Sequence, residues 1–272
     1  MTMLSQFSLN NGYEVETKIF SGGEVQVTLK PMFHAKSSGS NVICLLAHLK
    51  CANGIIALAQ IKQILNRDFP DSKIYLIMPY VPYARQDRAM VKGDAFSLKV
   101  FANLLNSLKF DCVEITDPHS DVTPALIDNV HVIEQHKCYV LAGLNGAYDA
   151  IVSPDGGALK KIYKAADALD IWDVIEASKN RDVATGKIIT TYFTGDVAGK
   201  NLLIVDDICD GGFTFIKLAE VLKAGGAKQV DLYVTHGIFS KGIEVLTPFI
   251  DNVYCQYSWT TPHPILNSPN FI

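Results

Sequence analysis

The stretch Leu202-Leu203-Ile204-Val205-Asp206-Asp207-Ile208-Cys209-Asp210-Gly211-Gly212-Phe213-Thr214 decides the fold. Its four leading apolar residues read as a buried parallel strand, and the run ends on two acids. A third acid, two glycines and a threonine follow, at the head of a segment with helical apolar spacing. Acids at the C-terminal mouth of a parallel strand stand where open α/β sheets hold their ligands. Glycines permit close backbone approach, and the amides of a helix start hold a phosphate. Like charges repel, so Asp206 and Asp207 are not phosphate ligands. They suit sugar hydroxyls or an intervening divalent cation. The stretch points to a sugar phosphate held from both ends.

Strand-then-helix units recur on either side of it. Residues 13–20 and 24–29 partly alternate around Ser21-Gly22-Gly23, which predicts a β-hairpin. Residues 41–49 form a strand, and 53–67 a helix with Leu58, Ile61 and Leu65 on one face. A strand at 74–79 precedes a helix striped by Leu98, Phe101, Leu105 and Leu108, and 112–116 return to the sheet. A short helix around 122–128 and a strand near 130–133 close this half. The second half begins near 146, with strand 148–153, a helix through Leu169, strand 172–176, a polar loop 178–186 and strand 187–193. After the opening strand come helix 213–224, strand 229–235 and a last strand near 252–257. The pattern predicts two α/β domains, 1–142 and 143–272. Thr260 to Ile272 carries three prolines and is expected to cover a surface.

Composition narrows the class. The chain has 272 residues, 49% of them hydrophobic, enough for one large core or two smaller ones. A net charge of -4 without a basic run argues against a nucleic-acid partner. There is no signal-peptide pattern and no apolar run long enough for a membrane span. Six cysteines, none in a CxxC arrangement, read as small buried hydrophobes of a reducing compartment, hence a cytoplasmic protein.

Polar clusters sit at strand ends in both halves. Strand 74–79 runs into Tyr80-Val81-Pro82-Tyr83-Ala84-Arg85-Gln86-Asp87-Arg88. Two prolines stiffen this turn, while Arg85, Gln86 and Arg88 offer donors for a phosphate or a nucleobase edge. Strand 112–116 ends in Asp117-Pro118-His119-Ser120, and strand 148–153 in Ser153-Pro154-Asp155-Gly156-Gly157. His119 and Asp155 together would hold a metal ion, directly or through water.

In these motifs the sequence resembles the ribose-phosphate pyrophosphokinase family, in a short form, over about Glu14 to Trp259. "MPYVPYARQDR" (78–88) resembles its ATP-side signature, "DPHS" (117–120) its metal-site histidine loop and "VSPDGG" (152–157) its second metal and ribose-side loop. "VDDICDGGFT" (205–214) is similar to its phosphoribosyl-binding loop, and "FSGGEVQV" (20–27) to the hairpin that reaches a neighbouring subunit's nucleotide. The resemblance implies an α/β fold: two tandem phosphoribosyltransferase-like (Rossmann-like) domains with largely parallel sheets and an N-terminal β-hairpin.

It also implies site roles. ATP would meet Arg85, Gln86, Asp87 and His119, with Phe20 and Glu24 reaching in from an adjacent subunit of a homo-oligomer. His119 and Asp155 would position Mg²⁺. Asp155, Asp206 and Asp207 would face the ribose of ribose 5-phosphate, and Asp210, Gly211, Gly212, Phe213 and Thr214 would wrap its phosphate. "SKNRD" (178–182) matches the family's mobile catalytic loop, making Lys179 and Arg181 the catalytic cations. A nucleobase phosphoribosyltransferase would share 205–214 but leave the arginine loop unexplained, and a non-catalytic homologue would be expected to lose the basic loop or the metal residues. The family pattern has an acid where this chain has Gly22, and Asp-Thr-Ala-Gly-Thr where it has Asp210 to Thr214. Phe213 therefore brings a bulky ring to the phosphate loop. The chain also ends soon after Trp259, which implies a smaller, simply regulated oligomer.

Overall fold

The computed structural model describes residues 5–32, 41–181 and 188–259. Its contacts divide the chain into two units, Met1–Ile133 and Glu134–Ile272.

In the first unit β1 (Gln6–Leu9) precedes a two-stranded ribbon of β2 (Tyr13–Ile19) and β3 (Val25–Pro31). Then come β4 (Val42–His48), α1 (Ala52–Asp68), β5 (Lys73–Ile77), α2 (Ser97–Ser107), β6 (Cys112–Thr116), α3 (Val122–Leu126) and β7 (Val130–Ile133). The sheet order is β1-β4-β5-β6-β7, parallel except for antiparallel β1. Every crossover from β4 onward steps in the same direction. Right-handed connections therefore put α1, α2 and α3 on one face. Burial agrees: Leu45, Leu76 and Ile115 pack with Leu58, Ile61, Leu98 and Phe101 in a single core. The alternate residues Cys44, Leu46, Tyr75, Ile77, Cys112 and Glu114 are only half-buried. The ribbon is tied to α1 by Gln60, whose side chain accepts from the Val27 amide at 2.9 Å and donates to the Val25 carbonyl at 2.9 Å.

The second unit opens with a 3-10 turn, Gln135–Lys137, and α4 (Tyr139–Ala142). Next are β8 (Ala150–Ser153), α5 (Leu159–Ala168), β9 (Val174–Arg181), β10 (Ile188–Thr194), β11 (Asn201–Cys209), α6 (Phe213–Ala224), β12 (Gln229–Gly237) and β13 (Val253–Ser258). The sheet order is β10-β9-β8-β11-β12-β13, with only β10 antiparallel to its neighbour. From β8 the chain crosses through α5 to one side, and from β11 through α6 to the other. The helices consequently cover opposite faces. Ile204 and Leu232 pack with Phe215 and Leu218 on one side, while Leu203, Val205 and Tyr233 pack with Ile162, Leu169 and Leu141 on the other. The direction of winding reverses between β8 and β11.

Four features differ from the sequence expectation. β1 was not foreseen, because four residues with two apolar positions give too short a pattern. The unit boundary falls at 133/134 rather than 142/143, since Cys138, Val140 and Leu141 fill the core on the α5 side. β11 does not stop at Asp206; it stays paired with β12 as far as Cys209 opposite Gly237. The expected polar loop 178–186 begins instead as strand, with β9 continuing to Arg181 as an antiparallel ribbon with β10. Residues 182–187 and the tail from Thr260 lie outside the described residues. Among the described residues, no helix is long and apolar enough to cross a membrane.

Candidate active site

The crevice of the second unit follows from the winding reversal. β11 pairs with β8 only through Leu202, Leu203 and Ile204, whereas its pairing with β12 runs on past both acids. Beyond Ile204 the β8 side of β11 has no ladder partner from β8, and the gap opens at the C-terminal ends of the strands. That is where doubly wound sheets bind ligands. Asp206 and Asp207 lie in this gap. The Asp207 amide donates to the Asp206 carboxylate, 2.8 Å to Oδ1.

Asp155 follows β8 on the other bank. Its Oδ1 accepts from the amides of Gly157 (3.1 Å) and Ala158 (3.3 Å), closing the turn that leads to α5. Ser153 Oγ donates to the Asp155 carbonyl at 2.7 Å. The three acids share one field. Burial above all, then the charge of Asp207 and more weakly that of Asp155, raises the proton affinity of Asp206 well above the carboxylate norm.

The turn into α6 supplies the anion end. Gly212 has φ +78°, and a Cβ there would lie 2.6 Å from Leu246 Cδ2, so both backbone and space demand glycine. Its carbonyl accepts from the amides of Phe215 and Ile216, each at 3.0 Å. The Phe213 and Thr214 amides precede these bonds, in the position from which a helix start grips phosphate. The bulky ring expected to crowd this loop is 56% exposed, beside Lys217, with Nζ 6.0 Å from the ring centre.

Sequence reading overlooked the loop after β12. The Ser240 amide donates to the Asp210 carbonyl at 3.1 Å, and Lys241 Cγ lies 3.6 Å from where a Cβ of Gly211 would stand. The available signal was topological: loops that follow adjacent parallel strands are neighbours. Only the backbone of Lys179 and Arg181 is described, paired in β9 with Thr191 and Ile188.

In the first unit the loops after β5 and β6 meet. Buried Met78, Val81 and Ala84 anchor the arginine loop, and the Leu98 amide donates to the Gln86 carbonyl at 3.2 Å. Arg85 and Gln86 are exposed. Arg88 grips Asp87 with two hydrogen bonds, 2.8 Å from Nε and 2.9 Å from Nη2. This grip, with the charges of Arg88 and His119 nearby, outweighs burial and pulls the Asp87 carboxyl down to about 2. Asp117 is buried at φ +43° with its amide on the Ile133 carbonyl (2.8 Å), while His119 is exposed.

The hairpin tip presents Phe20, 44% exposed beneath Lys18, and exposed Glu24. Asn53 Nδ2 fastens the turn from α1 through the Gly23 carbonyl at 3.1 Å. His119 and Asp155 belong to different units. Among the described residues, no three His, Cys, Asp or Glu side chains group into a metal site.

A doubly wound unit with an acid pair and a glycine-started helix at its switch point defines a phosphoribosyltransferase-type domain. Residues 128–259 match the family model "Phosphoribosyl transferase domain", and residues 7–108 match "N-terminal domain of ribose phosphate pyrophosphokinase". A ribose-phosphate pyrophosphokinase of Mycoplasmopsis pulmonis is 30% identical over 236 residues, covering 86% of this chain and 72% of the relative. One from Pyrococcus furiosus is 29% identical over 253 residues, covering 91% and 87%. The crystal structure of phosphoribosylpyrophosphate synthetase from Mycobacterium smegmatis shares the fold, with a TM-score of 0.75 at 23% identity over 94% of this chain and 86% of that one. The chain belongs to the ribose-phosphate pyrophosphokinase family.

Proposed function

We infer that the chain transfers the β,γ-diphosphoryl group of ATP to the 1-hydroxyl of ribose 5-phosphate. The products are 5-phosphoribosyl 1-diphosphate and AMP. The observation that carries this reading is the acid pair and glycine-started α6 at the β8/β11 switch point, in a chain whose other unit brings an arginine loop and a histidine loop together. Asp206 and Asp207 bind the ribose hydroxyls, and the backbone from Asp210 to Thr214 holds the 5-phosphate. Arg85, Gln86, Asp87 and His119 receive ATP, with Phe20 and Glu24 completing the pocket of an adjacent subunit in a homo-oligomer. The reading places the enzyme in the cytoplasm.

A new bond forms between ribose O1 and the β-phosphorus as the bond from that phosphorus to the α,β-bridging oxygen breaks; AMP departs with that oxygen, and the hydroxyl proton passes to solvent. Charge builds on oxygens already negative, so positioned cations supply most of the stabilisation. Lys179 and Arg181 take that role and exclude water, which would otherwise hydrolyse ATP. Mg²⁺, when bound, neutralises the polyphosphate. The donor chemistry fits it: the adjacent carboxylates of Asp206 and Asp207, whose repulsion adds to burial in raising the proton affinity of Asp206, suit a hard cation. Asp155 in the second unit and His119 in the first are the residues proposed to hold Mg²⁺, each alongside substrate oxygens.

Incubation with ATP, Mg²⁺ and ribose 5-phosphate, resolved by phosphorus NMR, tests the reading. The expected products are 5-phosphoribosyl 1-diphosphate and AMP in equal amounts. Release of ADP instead would rule out diphosphoryl transfer.

A further inference from the structure

The carbonyl that joins the two site acids is held by a side chain from the start of its unit's sequence. Gln135, in the 3-10 turn, is 3% exposed. Its Nε2 donates to the Asp206 carbonyl at 2.9 Å, across 71 residues of sequence. The same nitrogen reaches Thr235 Oγ1, on β12, at 3.4 Å. A strand's carbonyls are normally satisfied by its two neighbours. Here β8 has stopped pairing after Ile204 to open the crevice, and an amide side chain bonds a carbonyl in the segment beyond.

The consequence is geometric. The peptide between Asp206 and Asp207 is fixed at both polar atoms: its carbonyl by Gln135, and its amide by Asp206 Oδ1 at 2.8 Å. A peptide plane held at both ends cannot rotate without breaking a buried bond. The directions of both carboxylates depend on that plane. We propose that Gln135 is a positioning residue for the ribose site, holding the Asp206–Asp207 peptide in the orientation that grips the sugar hydroxyls. The proposal deepens the function inferred above and rests on it. Gln135 touches no substrate and acts through the two acids.

Gln135→Met keeps most of the buried volume and removes the donor. In the full-length protein it is expected to raise KM for ribose 5-phosphate about 10-fold, while KM for ATP stays within about twofold. Leu141→Ala serves as the structural control, since it loosens the same core without touching the carbonyl. It is expected to lower the melting temperature at least as much and leave KM for ribose 5-phosphate unchanged. If Gln135→Met does not fold, Gln135→Asn withdraws the donor by one methylene and carries the same expectation. Calorimetry of the wild-type protein with ribose 5-phosphate separates the two ideas. No wild-type binding overturns the functional reading and this proposal together. Wild-type binding with an unchanged KM in the folded variant overturns the proposal alone, as does an equal KM rise in Leu141→Ala.

Discussion

The two sheets of this chain are built from the same strand-helix unit and end up with different capabilities. In the first, strands β4 to β7 are added in one direction, so three helices share a face and, among the described residues, none of that unit's helices covers the other. In the second, winding reverses between β8 and β11, both faces are packed, and the reversal leaves a crevice lined by carboxylates. Most candidate residues of the first unit, Arg85, Gln86 and His119 among them, sit on exposed loops. Asp206 and Asp207 of the second sit on a strand packed on both faces. One scaffold gives an exposed edge of loops, the other a crevice whose acid has a raised proton affinity.

Truncation of one strand residue in each sheet should break or sharpen this contrast most strongly. Ile204 is fully buried under α6, so Ile204→Ala is expected to cost about 2–5 kcal/mol in urea unfolding. Ile77 lies on the face without helices, and Ile77→Ala should cost about 1 kcal/mol or less. Equal losses would mean that the half-buried face is packed against something in solution.

A smaller effect separates the acids of the second unit from ordinary surface carboxylates. Asp206 holds its proton well above the usual value of 3.8 because burial disfavours the charge. The folded state thus binds more protons than the unfolded one, and stability falls as pH rises from 3.8 toward the folded value. Asp206→Asn should flatten that slope and raise Tm at pH 7 by a few degrees. Ribose 5-phosphate affinity should drop about 10-fold or more. A lower Tm at pH 7 would contradict the account of a strained acid.

The smallest effect belongs to Asp87. Its folded pKa, about 2, lies below the ordinary 3.8, so its contribution is fully present above 3.8 and is lost as pH falls toward 2. Arg88 is exposed, and solvent screening keeps the gain small. Urea midpoints between pH 5 and pH 2 should therefore fall less steeply for Asp87→Asn than for the wild-type protein. Indistinguishable slopes would show that the Arg88 grip adds nothing to folding.

Apart from β1 and α4, local pattern alone determined the succession of strands and helices, down to α6 at Phe213–Ala224, and the hairpin around Ser21-Gly22-Gly23. Those features depend on apolar period and turn chemistry, which neighbours in sequence carry. The same holds for the acid pair, the glycines before α6 and the clustering of polar residues at strand ends. Tertiary structure decided the rest. Strand order, which no local period encodes, set which faces are covered and where the crevice opens. Ladder bonds to β12 kept β11 extended through Asp206 and Asp207, although their charges resemble a strand end. Pairing with β10 likewise made strand of Ser178 to Arg181, where polarity suggested loop. The bond from Gln135 to the Asp206 carbonyl leaves no trace in sequence, because a hydrogen bond across 71 residues exists only after folding has brought the two segments together.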